Sequence, residues 1–234
     1  MANGYVLSPK TKSYHAMDSF VYEYINCGGT KDNLKIEINY MLRCHVLPVA
    51  RREVRLPWNE EKLTVFSVAP LEIFASKTVA LLTRTAPRDL YDMHNMVKFG
   101  LFDESEEAML RKCVVFYSAI GSAQPPEKFA LDNIGNVSFR QIKRDLNSVL
   151  RKGERFDLEF VQKEVKDYLT SVLVPTKEEK LFWKAFSEGN YYPDWVFGDS
   201  DEFRNIAKHP MALWKCRDKE EDKKPLDKDH EKRV

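Results

Sequence analysis

The hydrophobic pattern of this 234-residue chain changes period at about residue 70, dividing it into a sheet-forming part and a helix-forming part. Upstream, MDSFVYEYI (17–25) is rich in the aromatic and β-branched residues that suit a half-buried pleated surface. NLKIEINYMLR (33–43) alternates: Leu34, Ile36, Ile38, Tyr40 and Leu42 face one way, Lys35, Glu37, Asn39 and Arg43 the other. The linking NCGGTKDN reads as a glycine turn, so the two segments should form a hairpin, with a third strand at KLTVFSV (62–68). Downstream, Pro70 fits the first turn of a helix, and Leu71, Phe74, Ala75, Thr78, Leu81 and Leu82 follow at helical spacing. Pro87 breaks or kinks this helix and can open the next, which should run to about Gly100. Capping boxes announce further helices at Asp103 with Glu106, Ser138 with Gln141, Thr176 with Glu179 and Asp199 with Glu202. DLEFVQKEVKDYLTSVL (157–173) supplies another apolar stripe. The expectation is an α+β chain, β-rich over 1–69 and helical over 70–216. Residues 217–234, almost without apolar side chains, should form a disordered charged tail.

A formal net charge of +1 gives no global attraction to nucleic acid or anionic membrane, so any phosphate recognition has to be local. No apolar run approaches the ~20 residues of a membrane span, and the N-terminus lacks a signal-peptide core. Cys27, Cys44, Cys113 and Cys216 lie far apart without a CxxC pair, as expected of free thiols in a reducing cytoplasm. His15, His45, His94, His209 and His230 show no zinc spacing, and His209 reads as a helix-end or packing residue. Trp183, Phe186, Tyr191, Trp195 and Phe197 fall at core spacings rather than as a base-stacking platform.

Two features carry candidate chemistry. In KTVALLTRTAPRDLYDMHNM (77–96), Lys77 and Arg84 project within about 20° of each other on a continuous helix, and Arg88 lies near the same face if the Pro87 kink is small. A lysine and two arginines converging in this way would suit a triphosphate. They would equally suit a solvated basic face, with Asp89 and Asp92 favouring the N-terminus of the second helix. Glu37, in mid-strand, is either solvent-facing or an oxygen ligand for magnesium. A lone carboxylate does not hold a two-metal site.

VAPLEIFASKTVALLTRTAPRDLYDMHNM resembles the AbiEii/AbiGii toxin family of nucleotidyltransferases, with its Leu-Glu…Lys…Arg…Arg-Asp-Leu-Tyr-Asp run. KIEINYMLRCH looks like the strand preceding that run, and YYPDWVFGDSDEFRNIAKHPMALWKC is similar to the C-terminal end of one branch. The likeness covers most of residues 3–216. It implies part of a polymerase-β-like nucleotidyltransferase palm followed by a helical domain. It further implies a bacterial toxin–antitoxin or phage-abortive-infection enzyme that uses ATP or GTP with Mg²⁺ and modifies a tRNA-like RNA acceptor. Carried over by position, Lys77 binds the triphosphate with Arg84 and Arg88 in support, Asp89 closes the site, and Glu37 is the third acidic residue of the palm and a metal ligand. The family's GGTxL turn and RxSxDxD acidic pair have no counterpart, because Gly28–Thr30 precedes a strand rather than a helix. The expectation is therefore an incomplete chain, inactive alone, whose uncovered sheet edge and apolar hairpin face promote self-association. The alternative is a non-catalytic interaction module, a decayed paralogue binding a partner protein or RNA.

Overall fold

The computed structural model describes residues 4–40, 44–56, 59–147, 150–151 and 153–222. Leu42, Arg43, His230 and the tail from residue 223 onward lie outside the described residues. The fold is α+β and forms two compact units, Met1–Cys44 and His45–Val234.

The first unit is an antiparallel sheet of β1 (Val6–Leu7), β2 (Lys12–Ser13), β3 (Met17–Ile25) and β4 (Lys31–Asn39). β3 is central, with the two short strands on one edge and β4 along the other. The expected hairpin is present, in a register that places Phe20 opposite Ile36 and Tyr22 opposite Leu34. Its turn is held by Asn26, whose side-chain oxygen accepts from Gly28 N (3.0 Å), Thr30 N (3.2 Å) and Thr30 Oγ1 (3.0 Å). Gly29 sits at φ +77°, where an L side chain would be strained. Leu34, Ile36, Ile38 and Tyr40 share one face, and all four are exposed.

The second unit begins with a hairpin of β5 (Ala50–Leu56) and β6 (Asn59–Ser67). β6 covers the strand expected at 62–68. β5 was not legible, because ARREVRL lacks a clean alternation. Helices follow: α1 (Pro70–Arg84), α2 (Pro87–Lys98), α3 (Glu104–Gly121), α4 (Phe139–Asp145), α5 (Leu158–Val172), α6 (Lys177–Ser187), α7 (Asp194–Phe197) and α8 (Pro210–Asp222). Both prolines occupy N1 of their helices. The boxes at Asp103, Ser138 and Thr176 all form with both reciprocal bonds. No α-helix begins at Asp199: a 3₁₀ turn, Asp201–Phe203, forms there, and the Asp201 carboxylate goes to Arg204 at 2.7 Å. α8 continues through residues 217–222, inside the expected tail.

The units divide between Cys44 and His45 rather than at the change of period. The physical reason is Glu72 on α1, which accepts from Val46 N (3.0 Å) and Leu47 N (3.1 Å) and so ties the segment before β5 to the helices. α3 is the axis of this unit, packing on α1, α5, α6, α7 and α8. Phe116 at its centre is fully buried and meets the rings of Tyr117, Phe182, Phe197 and His209. Trp183 is buried and donates Nε1–H to Val115 O at 2.9 Å, while Trp195 departs from the expected core, lying exposed and stacked on Tyr192. Among the described residues no helix is long and apolar enough to cross a membrane, and all four cysteines are free thiols. Phe116→Ala, which removes the ring shared by four aromatic neighbours, should destabilise the second unit by about 3–5 kcal/mol in denaturant unfolding.

Candidate functional site

α1 and α2 do not run on as one kinked helix. Thr85 takes the left-handed conformation (φ 51°), the one non-glycine residue with positive φ among those described, and ends α1 with its N–H on Leu81 O. Two residues later Pro87 opens α2 in a new direction. The contacts then descend α1 as they climb α2: Arg84 meets Asp89, Thr78 meets Met93, and Lys77 meets Asp92. This is an antiparallel helical hairpin.

The charges of the hairpin are paired. Arg84 Nε and Nη2 donate to the two oxygens of Asp89, each at 2.7 Å, in the bidentate fork geometry specific to arginine. Asp89 is at N3 of α2 and buried (2% side-chain exposure), whereas the Arg84 side chain is 54% exposed. The Asp89 carboxylate raises the Arg84 pKa above its ordinary value by hydrogen bonding. With Nε and Nη2 committed, Nη1 is the end of the fork left over for a further acceptor. Lys77 Nζ lies 2.5 Å from Asp92 Oδ2, both side chains about one-third exposed. Asp89 and Asp92 thus do more than favour a helix N-terminus: each holds one cation in place.

Arg88 does not continue the Lys77–Arg84 face. It is exposed at the second position of α2. Its charge adds to that of Arg144, whose hydrogen bond is the main cause holding the Asp145 carboxyl below the ordinary range. Glu37 belongs to the first unit, exposed on β4 with its carboxylate 2.6 Å from Lys35 Nζ. The other carboxylate on that face of β3 and β4 is Glu23, opposite Asn33 and so four positions away, roughly 13 Å along the strand. Among the described residues no three His, Cys, Asp or Glu side chains converge as a metal site requires. These residues do not by themselves fit a magnesium site.

A residue in the same helix was not singled out from the sequence. Glu72 is 2% exposed and sits in the buried stripe of α1 with Ala75, Thr78, Leu81 and Leu82. Besides the two backbone donors it accepts from the Tyr117 hydroxyl and lies 3.2 Å from His45 Nδ1. The signal was present, since a carboxylate in phase with an apolar stripe is buried and needs donors.

A family model described as nucleotidyl transferase AbiEii toxin, type IV toxin–antitoxin system, matches residues 7–181, about three quarters of the chain. The chain belongs to the AbiEii family. The match spans both units from β1 through α5 into α6 and contains Glu37, Glu72, Lys77, Arg84, Arg88, Asp89 and Asp92. The C-terminal stretch 191–216 lies beyond it. No curated protein and no solved structure matches the chain. Membership in this AbiEii family brings an antitoxin as the kind of partner such a toxin has. Within the matched segment the helical hairpin gathers a lysine and an arginine on paired carboxylates, with Glu72 fixing the start of α1.

Glu72→Ala would strand the Val46 and Leu47 N–H groups. It should lower stability by about 2–4 kcal/mol, read from the denaturant midpoint.

Proposed function

We propose that the α1–α2 hairpin is the triphosphate-binding wall of a nucleotidyltransferase. In this reading the hairpin, together with an acidic metal-binding pair that the described residues do not supply, transfers NMP from an NTP, ATP or GTP, to an RNA acceptor, as the toxin of a cytoplasmic toxin–antitoxin pair acting in phage defence. An acceptor hydroxyl oxygen bonds to the α-phosphorus, the bond to the pyrophosphate oxygen breaks, pyrophosphate leaves, and the hydroxyl proton passes to solvent. The observation that supports this is the pairing of Lys77 with Asp92 and of Arg84 with Asp89 inside the AbiEii-matched segment.

Each cation has a distinct task. Lys77 is a compact point charge on a flexible stem, held by a partly exposed carboxylate that a polyphosphate can displace. Arg84 is held rigidly by buried Asp89 and offers its remaining fork edge to a phosphate oxygen. Transfer of this kind is largely positioning and electrostatic stabilisation, so losing one such cation should be severe. Asp89 acts through Arg84 and is a positioning residue. Arg88, exposed on α2 three residues before Tyr91, serves in this reading as a peripheral contact for the nucleotide or the RNA.

Lys77→Ala should lower NTP transfer, and the growth arrest it causes, by about 10²-fold or more. Asp89→Asn should do the same while leaving the far-UV circular dichroism of the folded protein intact. Either variant retaining wild-type transfer and toxicity would overturn the assignment. A chain that arrests growth with no transfer, and binds Mg–NTP no better than Lys77→Ala does, would instead be an interaction module.

A further inference from the structure

The outer edge of β4 is a nine-residue strand, Lys31–Asn39, and every residue along it is exposed. Among the described residues β3 is its only strand partner. Such an edge is a template for another strand, and its sequence specifies which one. In an antiparallel pair, directly opposite residues share a face. When β4 is laid against a second β4 with the two-fold axis at Ile36, Ile36 meets Ile36, Leu34 meets Ile38, and Lys35 meets Glu37. By symmetry the charge pair occurs twice.

Neighbouring registers fail. A one-residue slip sets apolar side chains against charged ones. A two-residue slip sets Lys35 on Lys35 in one direction and Glu37 on Glu37 in the other. The Lys35–Glu37 ion pair now made within one strand, 2.6 Å long, exchanges for two cross-strand pairs at no loss of charge partners.

We propose that β4 is a homodimerisation edge, pairing antiparallel with β4 of a second copy of this chain about a two-fold axis at Ile36. The product is a continuous sheet of eight strands, four from each copy. The Leu34–Ile36–Ile38 rows, each residue 43–44% exposed, then join into one apolar band across the dimer. Isologous contact of this type closes at two copies, since each copy uses its single β4 edge. The inference stands independently of the phosphate-binding reading, because its groups belong to the first unit and Lys77 and Arg84 to the second.

The test is light scattering of the full chain over a concentration series, with charge variants and site-specific cross-linking. Wild type should show a concentration-dependent dimer. Lys35→Glu opposes like charges twice and should raise the dimer dissociation constant about tenfold or more. The double variant Lys35→Glu/Glu37→Lys restores opposite charges and should restore the dimer. With Cys27 and Cys44 changed to serine, Ile36→Cys should oxidise to a disulfide-linked dimer, since opposed Cα atoms about 4.5–5.5 Å apart are within disulfide reach. Leu34→Cys, displaced from its own copy by four positions, should not. A wild type that stays monomeric throughout would overturn the proposal. So would equal cross-linking at Leu34 and Ile36, failure of the double variant to recover, or β4 pairing with a different protein instead of itself.

Discussion

Burying a carboxylate costs several kcal/mol unless it finds a charged or hydrogen-bonding partner. Asp89 meets that cost with both oxygens on Arg84. The pair spans the joint between α1 and α2, closing the corner that Thr85 turns and Pro87 restarts. With that corner closed, Thr78 reaches Met93 and Lys77 reaches Asp92 two turns farther along. The spacing of the two cations therefore follows from one buried ion pair. So does their orientation, because an arginine with two of its donors fixed has little freedom left for the rest.

Glu72 anchors the other end of α1 by the same physics. Its carboxylate gathers two backbone donors and a tyrosine hydroxyl and joins the segment before β5 to α1 and α3. Cys113 on α3 lies close enough that burial and the Glu72 charge together push its thiol pKa up. That raises the energy of the thiolate and makes this cysteine a packing residue rather than a nucleophile. A single helix thus carries a buried acid near its first turn and a paired base at its last. It is held at both ends before any ligand arrives.

Local signals were legible in the sequence and tertiary ones were not. Pro70 and Pro87 mark helix starts because a missing N–H is harmless only there, and the capping boxes at Asp103, Ser138 and Thr176 form because their bonds span three residues. Asp199 misled because its segment makes a single 3₁₀ turn and offers no helix N-terminus. β5 was invisible because ARREVRL carries charge at most positions and is a strand only by virtue of β6 beside it. Charge spacing drew Lys77 and Arg84 together as candidates. It could not show that Asp89 and Asp92 are their partners, since that depends on α2 folding back. The condition set for Arg88, a small kink at Pro87, is not met: a helical wheel continues through Pro87, whereas the chain turns at Thr85.

The proposed role of Lys77, a phosphate ligand held in reserve by Asp92, can be read by calorimetric titration of an NTP, supplied with magnesium, into wild type, Asp92→Asn and Lys77→Ala. If Asp92 competes with the phosphates for Lys77, Asp92→Asn should bind the nucleotide several-fold more tightly than wild type, and Lys77→Ala should bind it far more weakly. Equal affinities in all three proteins would contradict the account and leave the hairpin charges with a purely structural part.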